Sequence, residues 1–202
     1  SAVWLYDGAG DDTFYGGVNS DNFFLYGGGD NTVWAGAADA NGDAVFVTAD
    51  GNNEVGLGAG ADLFTETNTA TGNNTFYGGA DIDGFFIDGS GTVAAWGGEG
   101  DDNFTQGGAA GTGDGVLGGG AGADDFDLQN GDGAFTLYGG NDNGVDEDDT
   151  FQTQTTYTGD VTIYGGGGTG AGSNLINLRG EGDATVFNGV GDDIVRVRNG
   201  AP

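Results

Sequence analysis

Large apolar residues return along this chain on two interleaved schedules, and that rhythm limits what it can fold into. One series, A, runs Phe14, Val33, Val55, Phe76, Val93, Val116, Phe135, Val161 and Val186. The other, B, runs Phe23, Val45, Phe64, Phe85, Phe104, Phe126, Phe151, Ile176 and Val195. Each has nine members and spans 172 residues, or 21.5 residues per interval. Equal spans describe one coil of two strands and two turns, wound about nine times. Inside the segments apolar residues alternate at period two, as at Phe23 and Leu25, Val45 and Val47, or Phe126 and Leu128. That is strand patterning, and glycine-rich turns leave the pieces too short for stable helices. The expected fold is all-β, a parallel β-solenoid or β-roll with two strands per coil, forming a single repeat-array domain over 1–202. Uneven coil lengths predict surface bulges around 65–73, 141–148 and 165–173.

Composition narrows the chemistry. Glycine supplies 48 of 202 residues and proline one, without a G-X-Y triplet, which excludes collagen. Thirty-two acidic residues against three arginines give a net charge of −29. Such a chain repels nucleic acid and anionic membranes and attracts cations. Histidine, cysteine and methionine are absent, which removes histidine triads, thiol nucleophiles and nitrogen- or sulfur-ligated metals. Oxygen ligands remain, and these suit calcium. Acidic pairs recur with the repeat rather than meeting in one cleft, so no enzyme is expected. No apolar run approaches membrane-spanning length and no basic-then-apolar leader precedes the repeats, so neither a transmembrane helix nor a signal peptide is expected.

The turns before the B strands carry the candidate ligands. Gly97-Gly98-Glu99-Gly100-Asp101-Asp102-Asn103-Phe104 and Gly119-Gly120-Ala121-Gly122-Ala123-Asp124-Asp125-Phe126 both fit G-G-x-G-x-D-x-U, with U large and apolar. Looser copies run from Gly16 to Phe23, Gly58 to Phe64, Gly78 to Phe85 and Gly189 to Val195. Glycines aim carbonyl oxygens inward, the aspartate adds a charged oxygen, and stacked turns can pool the six to eight oxygens that calcium takes. Unneutralised, carboxylates stacked ~5 Å apart along an edge would repel strongly.

These turns resemble the repeats-in-toxin (RTX) family, the calcium-binding parallel β-roll of secreted bacterial toxins, proteases and surface-layer proteins. The resemblance covers nearly the whole chain and implies one file of shared calcium ions along an edge. At the aspartate position the B turns read Asp21, Asp43, Asp62, Asp83, Asp102, Asp124, Asp149, Asn174 and Asp193. The A turns read Asp12, Asn31, Asn53, Asn74, Gly91, Asp114, Gly133, Gly159 and Ala184. In the common RTX pattern both edges bind metal. Here the eight B-edge aspartates are the expected ligands, and Asp12 is a further candidate if a coil precedes it. The A edge is expected to hold its turns with an asparagine ladder instead. Eight calcium ions would move the charge from −29 to about −13, and metal binding would be part of folding.

Outward aromatics, Tyr15, Trp34, Tyr77, Trp96, Tyr138, Tyr164 and Phe187, mark an expected lateral protein interface. All three arginines, Arg179, Arg196 and Arg198, lie near one end of an acidic rod, which suits head-to-tail self-association. The leading expectation is an extracellular or cell-surface structural solenoid that builds a filament, surface layer or adhesive matrix. The alternatives are a calcium-dependent folding and secretion module of a larger RTX enzyme or toxin, or an ice-binding solenoid. The last needs a regular threonine array, and Thr13, Thr32, Thr75 and Thr92 keep only partial register. A halophilic source, with salt as the screen, would also explain the acidity.

Overall fold

The computed structural model describes residues 4–36, 41–48, 50–67, 69–108, 113–140, 147–166 and 172–198. Every regular element among them is a strand. The B strands form one ten-stranded sheet from Trp4–Tyr6 to Ile194–Val197, and the A strands a nine-stranded sheet from Thr13–Tyr15 to Ala184–Phe187. Strands alternate between the sheets along the chain, and every pairing is parallel. The expected two-strand coil is therefore the observed one. Parallel neighbours need a long connection between them, and here each connection is the strand of the opposite sheet with its two turns.

The core is the thin space between the sheets. On the B side Phe85, Phe104, Phe126 and Phe151 stack ring on ring at 4.6, 4.8 and 4.9 Å, within 6° of parallel. Phe64 meets Phe76 of the A side across the gap, with ring centroids 3.5 Å apart. Identical residues at identical heights make each coil a template for the next.

The A register departs from expectation after the fourth coil. Phe14, Val33, Val55 and Phe76 stand abreast, but the column continues through Ala95, Leu117, Leu137 and Ile163 to Val186. Val93, Phe135 and Val161 are buried two residues earlier in their strands. Val116 faces outward between Ala94 and Thr136. A period-two strand changes face with a one-residue slip, as between Val116 and Leu117, and residue size pointed to Val93 over Ala95. The slip also relocates the A-edge column, which reads Asp12, Asn31, Asn53, Asn74, Val93, Gly115, Phe135, Val161 and Ala184. Gly91, Asp114, Gly133 and Gly159 are not in it. Thr92 likewise leaves the outward threonine column, which holds Thr13, Thr32, Thr75, Thr136, Thr162 and Thr185. Of the expected bulges, 65–73 turns back into the core at buried Ala70. Residues 68, 141–146 and 167–171 lie outside the described residues.

Candidate metal-binding edge

The turns leading into the B strands set one polar residue per coil at the same place on the solenoid edge. Asp21, Asp43, Asp62, Asp83, Asp102, Asp124 and Asp149 are buried there, as is Asn174. Asp193 is half-buried at the last described coil. The next apolar residue anchors each turn: Phe104, two positions after Asp102, is buried, and so is Phe126 after Asp124.

From Asp43 to Asp193 each of these side chains receives the same bond. The backbone N–H of Asp21 donates to Asp43 Oδ1 at 2.6 Å, Asp43 N–H to Asp62 Oδ1 at 2.6 Å, and Asp62 N–H to Asp83 Oδ1 at 2.9 Å. The chain continues through Asp102 and Asp124 to Asp149, whose N–H donates to Asn174 Oδ1 at 2.9 Å. It ends with Asn174 N–H on Asp193 Oδ1 at 3.0 Å. One oxygen of each carboxylate from Asp43 onward is thereby committed to holding coils together.

The second oxygen is the chemically interesting one. At Asp83, Asp102 and Asp124, Oδ2 is buried and has no hydrogen-bond partner among the described residues. It sits under the glycine that opens the turn, where a Cβ on Gly78, Gly97 or Gly119 would collide with it. The carbonyl oxygen of the following coil borders the same spot, 2.6 Å from the Cβ position of Gly78 (Gly97 O) and of Gly97 (Gly119 O). Glycine is required here for close approach, not for flexibility.

Asn174 shows what the spot demands. Its Nδ2 donates to Gly165 O at 2.8 Å and to Asn188 O at 3.3 Å, carbonyls of its own coil and the next. An ionised aspartate in that place faces carbonyl oxygens with no proton to offer, which is costly when buried. Burial accordingly pushes the Asp83 carboxyl up to about 8, Asp102 to about 7 and Asp124 to about 9, with neighbouring acidic charges adding to the effect. The edge needs a proton or a cation.

The donor set fits calcium. Each interval offers carboxylate and carbonyl oxygens, all hard ligands. Among the described residues no three acidic side chains converge on one point. A calcium shell here would use one or two carboxylate oxygens, completed by carbonyls and water. Not every expected ligand is equivalent. Asp21 Oδ2 already accepts the Gly17 N–H at 2.8 Å, and Asn174 interrupts the file.

The A edge runs the ladder without the acids. Asn31, Asn53 and Asn74 accept through Oδ1 from the coil before, at 3.0, 3.3 and 3.0 Å. Asn31 and Asn53 also pass Nδ2 to the next Oδ1. Asp12 is half-buried, and its Oδ2 accepts the Gly8 N–H at 3.2 Å. The ladder stops at Asn74, whose N–H goes to Thr92 O and whose amide donates to Glu66. Glu66 was not singled out from the sequence. It is buried between Val47 and Ile87 in a B-sheet column, and burial pushes it up to about 7. A charged residue at the inward register position between Val47 and Ile87 was the available signal. Compared with known families and curated proteins, the chain matches no family model and no curated sequence.

Proposed function

We propose that this chain is a calcium-stabilised structural β-solenoid of the RTX kind, working outside the cell where calcium is abundant. The observation that carries the reading is the row of buried, unpartnered Oδ2 atoms at Asp83, Asp102 and Asp124. A bound calcium would supply the positive charge those oxygens lack. The residues do the rest: Oδ1 fixes the spacing of coils, glycine clears the space, and carbonyls of two consecutive coils close the shell. Without such neutralisation, a net charge of −29 opposes the compact rod. As a rod with stacked aromatic rings on the outward face of the B sheet, Trp4 and Tyr6 exposed and Phe24 and Phe46 half-buried, it would associate laterally in a matrix or surface layer.

The test uses the chain's own precedent. The variant Asp83→Asn/Asp102→Asn/Asp124→Asn places a donor where Asn174 already has one. Wild type is expected to lose its β circular dichroism in chelator and regain it with calcium, but not with molar potassium chloride. The triple variant is expected to bind about three fewer ions by calorimetry and to hold its fold in chelator. A wild-type spectrum indifferent to chelator, or a triple variant with undiminished calcium stoichiometry, defeats the proposal.

A further inference from the structure

The outward face of the A sheet differs from the rest of this acidic molecule. Its two outward columns, running from Thr13 to Thr185 and from Tyr15 to Phe187, hold eighteen residues in register, and Glu54 is the one charged residue among them. Beside the aromatic column runs a trough floored by glycine. Two stretches of it open as cavities of about 410 Å³ beside Trp34 and Tyr77 and about 660 Å³ beside Trp96, Tyr138 and Tyr164.

The two stretches share one plan. Down the aromatic column the order tryptophan, glycine, tyrosine occurs twice, as Trp34, Gly56, Tyr77 and as Trp96, Gly118, Tyr138. Sixty-two residues separate the tryptophans and the glycines, and 61 separate the tyrosines. Each indole leans into the place where a Cβ on the neighbouring glycine would lie, so Trp96 comes within 6.4 Å of Tyr138 two coils away. The hydroxyls of Tyr77, Tyr138 and Tyr164 have no hydrogen-bond partner among the described residues, and the rings are 41, 39 and 37 % exposed. The repeat is three coils, or ~14 Å along the rod.

We propose that this trough binds a neutral, linear polysaccharide along the solenoid axis. The C–H faces of sugar rings pack on aromatic walls, and sugar hydroxyls pair with the free phenols. Two stations of one plan in line suit a polymer, which gains avidity from occupying both. Charge selects the class: the face carries a single charge, at Glu54, while −29 on the whole chain opposes nucleic acid and acidic glycans. An added peptide strand is disfavoured, because the trough lies on a sheet face and offers no free backbone edge.

The test is native affinity electrophoresis in calcium through gels containing hydroxyethylcellulose, laminarin, galactomannan or polygalacturonate. At least one neutral polysaccharide is expected to retard the protein, and polygalacturonate is not. Trp96→Ala should weaken retardation fivefold or more, and Trp34→Ala/Trp96→Ala should abolish it with unchanged circular dichroism. Retardation by none of the neutral polymers, or by the double variant as strongly as by wild type, overturns the proposal. So does a wild-type dimer in sedimentation that the double variant dissolves, which would make the face a self-interface.

Discussion

At the scale of single residues, the buried acids set how stability follows pH. Asp83, Asp102 and Asp124 have folded-state values raised to between about 7 and 9. Between the ordinary carboxylate range and those values the folded chain holds more protons than the unfolded one, so stability falls as pH rises. In chelator, the contribution of these groups is fully present below about pH 4 and is lost as pH climbs through 7 to 9. Glu66, raised to about 7 by burial, acts in the same direction. Metal-free protein should therefore resist urea best at acidic pH, and calcium should matter most above pH 8. Urea denaturation from pH 4 to 9, with and without calcium, checks both; metal-free stability that rises with pH contradicts the assignment. The B-edge ligands were legible in the sequence because Asp-x-Phe keeps a fixed two-residue offset from a bulky anchor. What was not legible is which oxygen is spare. Gly17 N–H satisfies Asp21 Oδ2, and the two aspartates Asp21 and Asp102 look alike in sequence.

At the scale of the elements, the ladders join turns to sheets. Asn53 accepts from the Asn31 N–H and from Asn31 Nδ2, and passes its own amide to Asn74. Asn53→Ala strands a buried N–H and should cost about 1–3 kcal/mol, read as a lower urea midpoint in saturating calcium. A loss below a few tenths of a kcal/mol would mean the ladder merely decorates the edge. The strands themselves were legible, since their period and their glycine boundaries are local signals. The A register beyond Phe76 was not. In Val93-Ala94-Ala95 and Gly115-Val116-Leu117 apolar residues occupy both faces, so alternation carries no direction, and at Val93 against Ala95 bulk misleads. Pairing with the preceding coil decides instead: Ala95 follows Phe76 because Val93 sits opposite Asn74. The polar column turns apolar at that step, which is why the asparagine ladder ends there.

At the scale of the whole molecule, stability is a sum over neighbours. Each coil touches the coil before and the coil after, as in other repeat arrays. Hydrogen exchange in calcium should show greatest protection in the strands flanking Asp83, Asp102 and Asp124, with fraying toward Trp4–Tyr6 and Ile194–Val197. Adding chelator should erase the central maximum first. Uniform protection along the rod, unaffected by chelator, would disconnect the unpartnered oxygens from the stability of the array.

The strand-to-strand hydrogen bonds of both sheets all point along the rod. A tension applied between the two ends of the chain therefore meets them one coil at a time, as an unzipping load rather than a shearing one. Each yielding coil frees about 21 residues, or roughly 70 Å of extended chain at ~3.3–3.6 Å per residue. The molecule would stretch coil by coil at a modest, repeating force. Relaxed, it could wind back on the coil that still stands. Such a rod dissipates work under load and recovers its length afterwards.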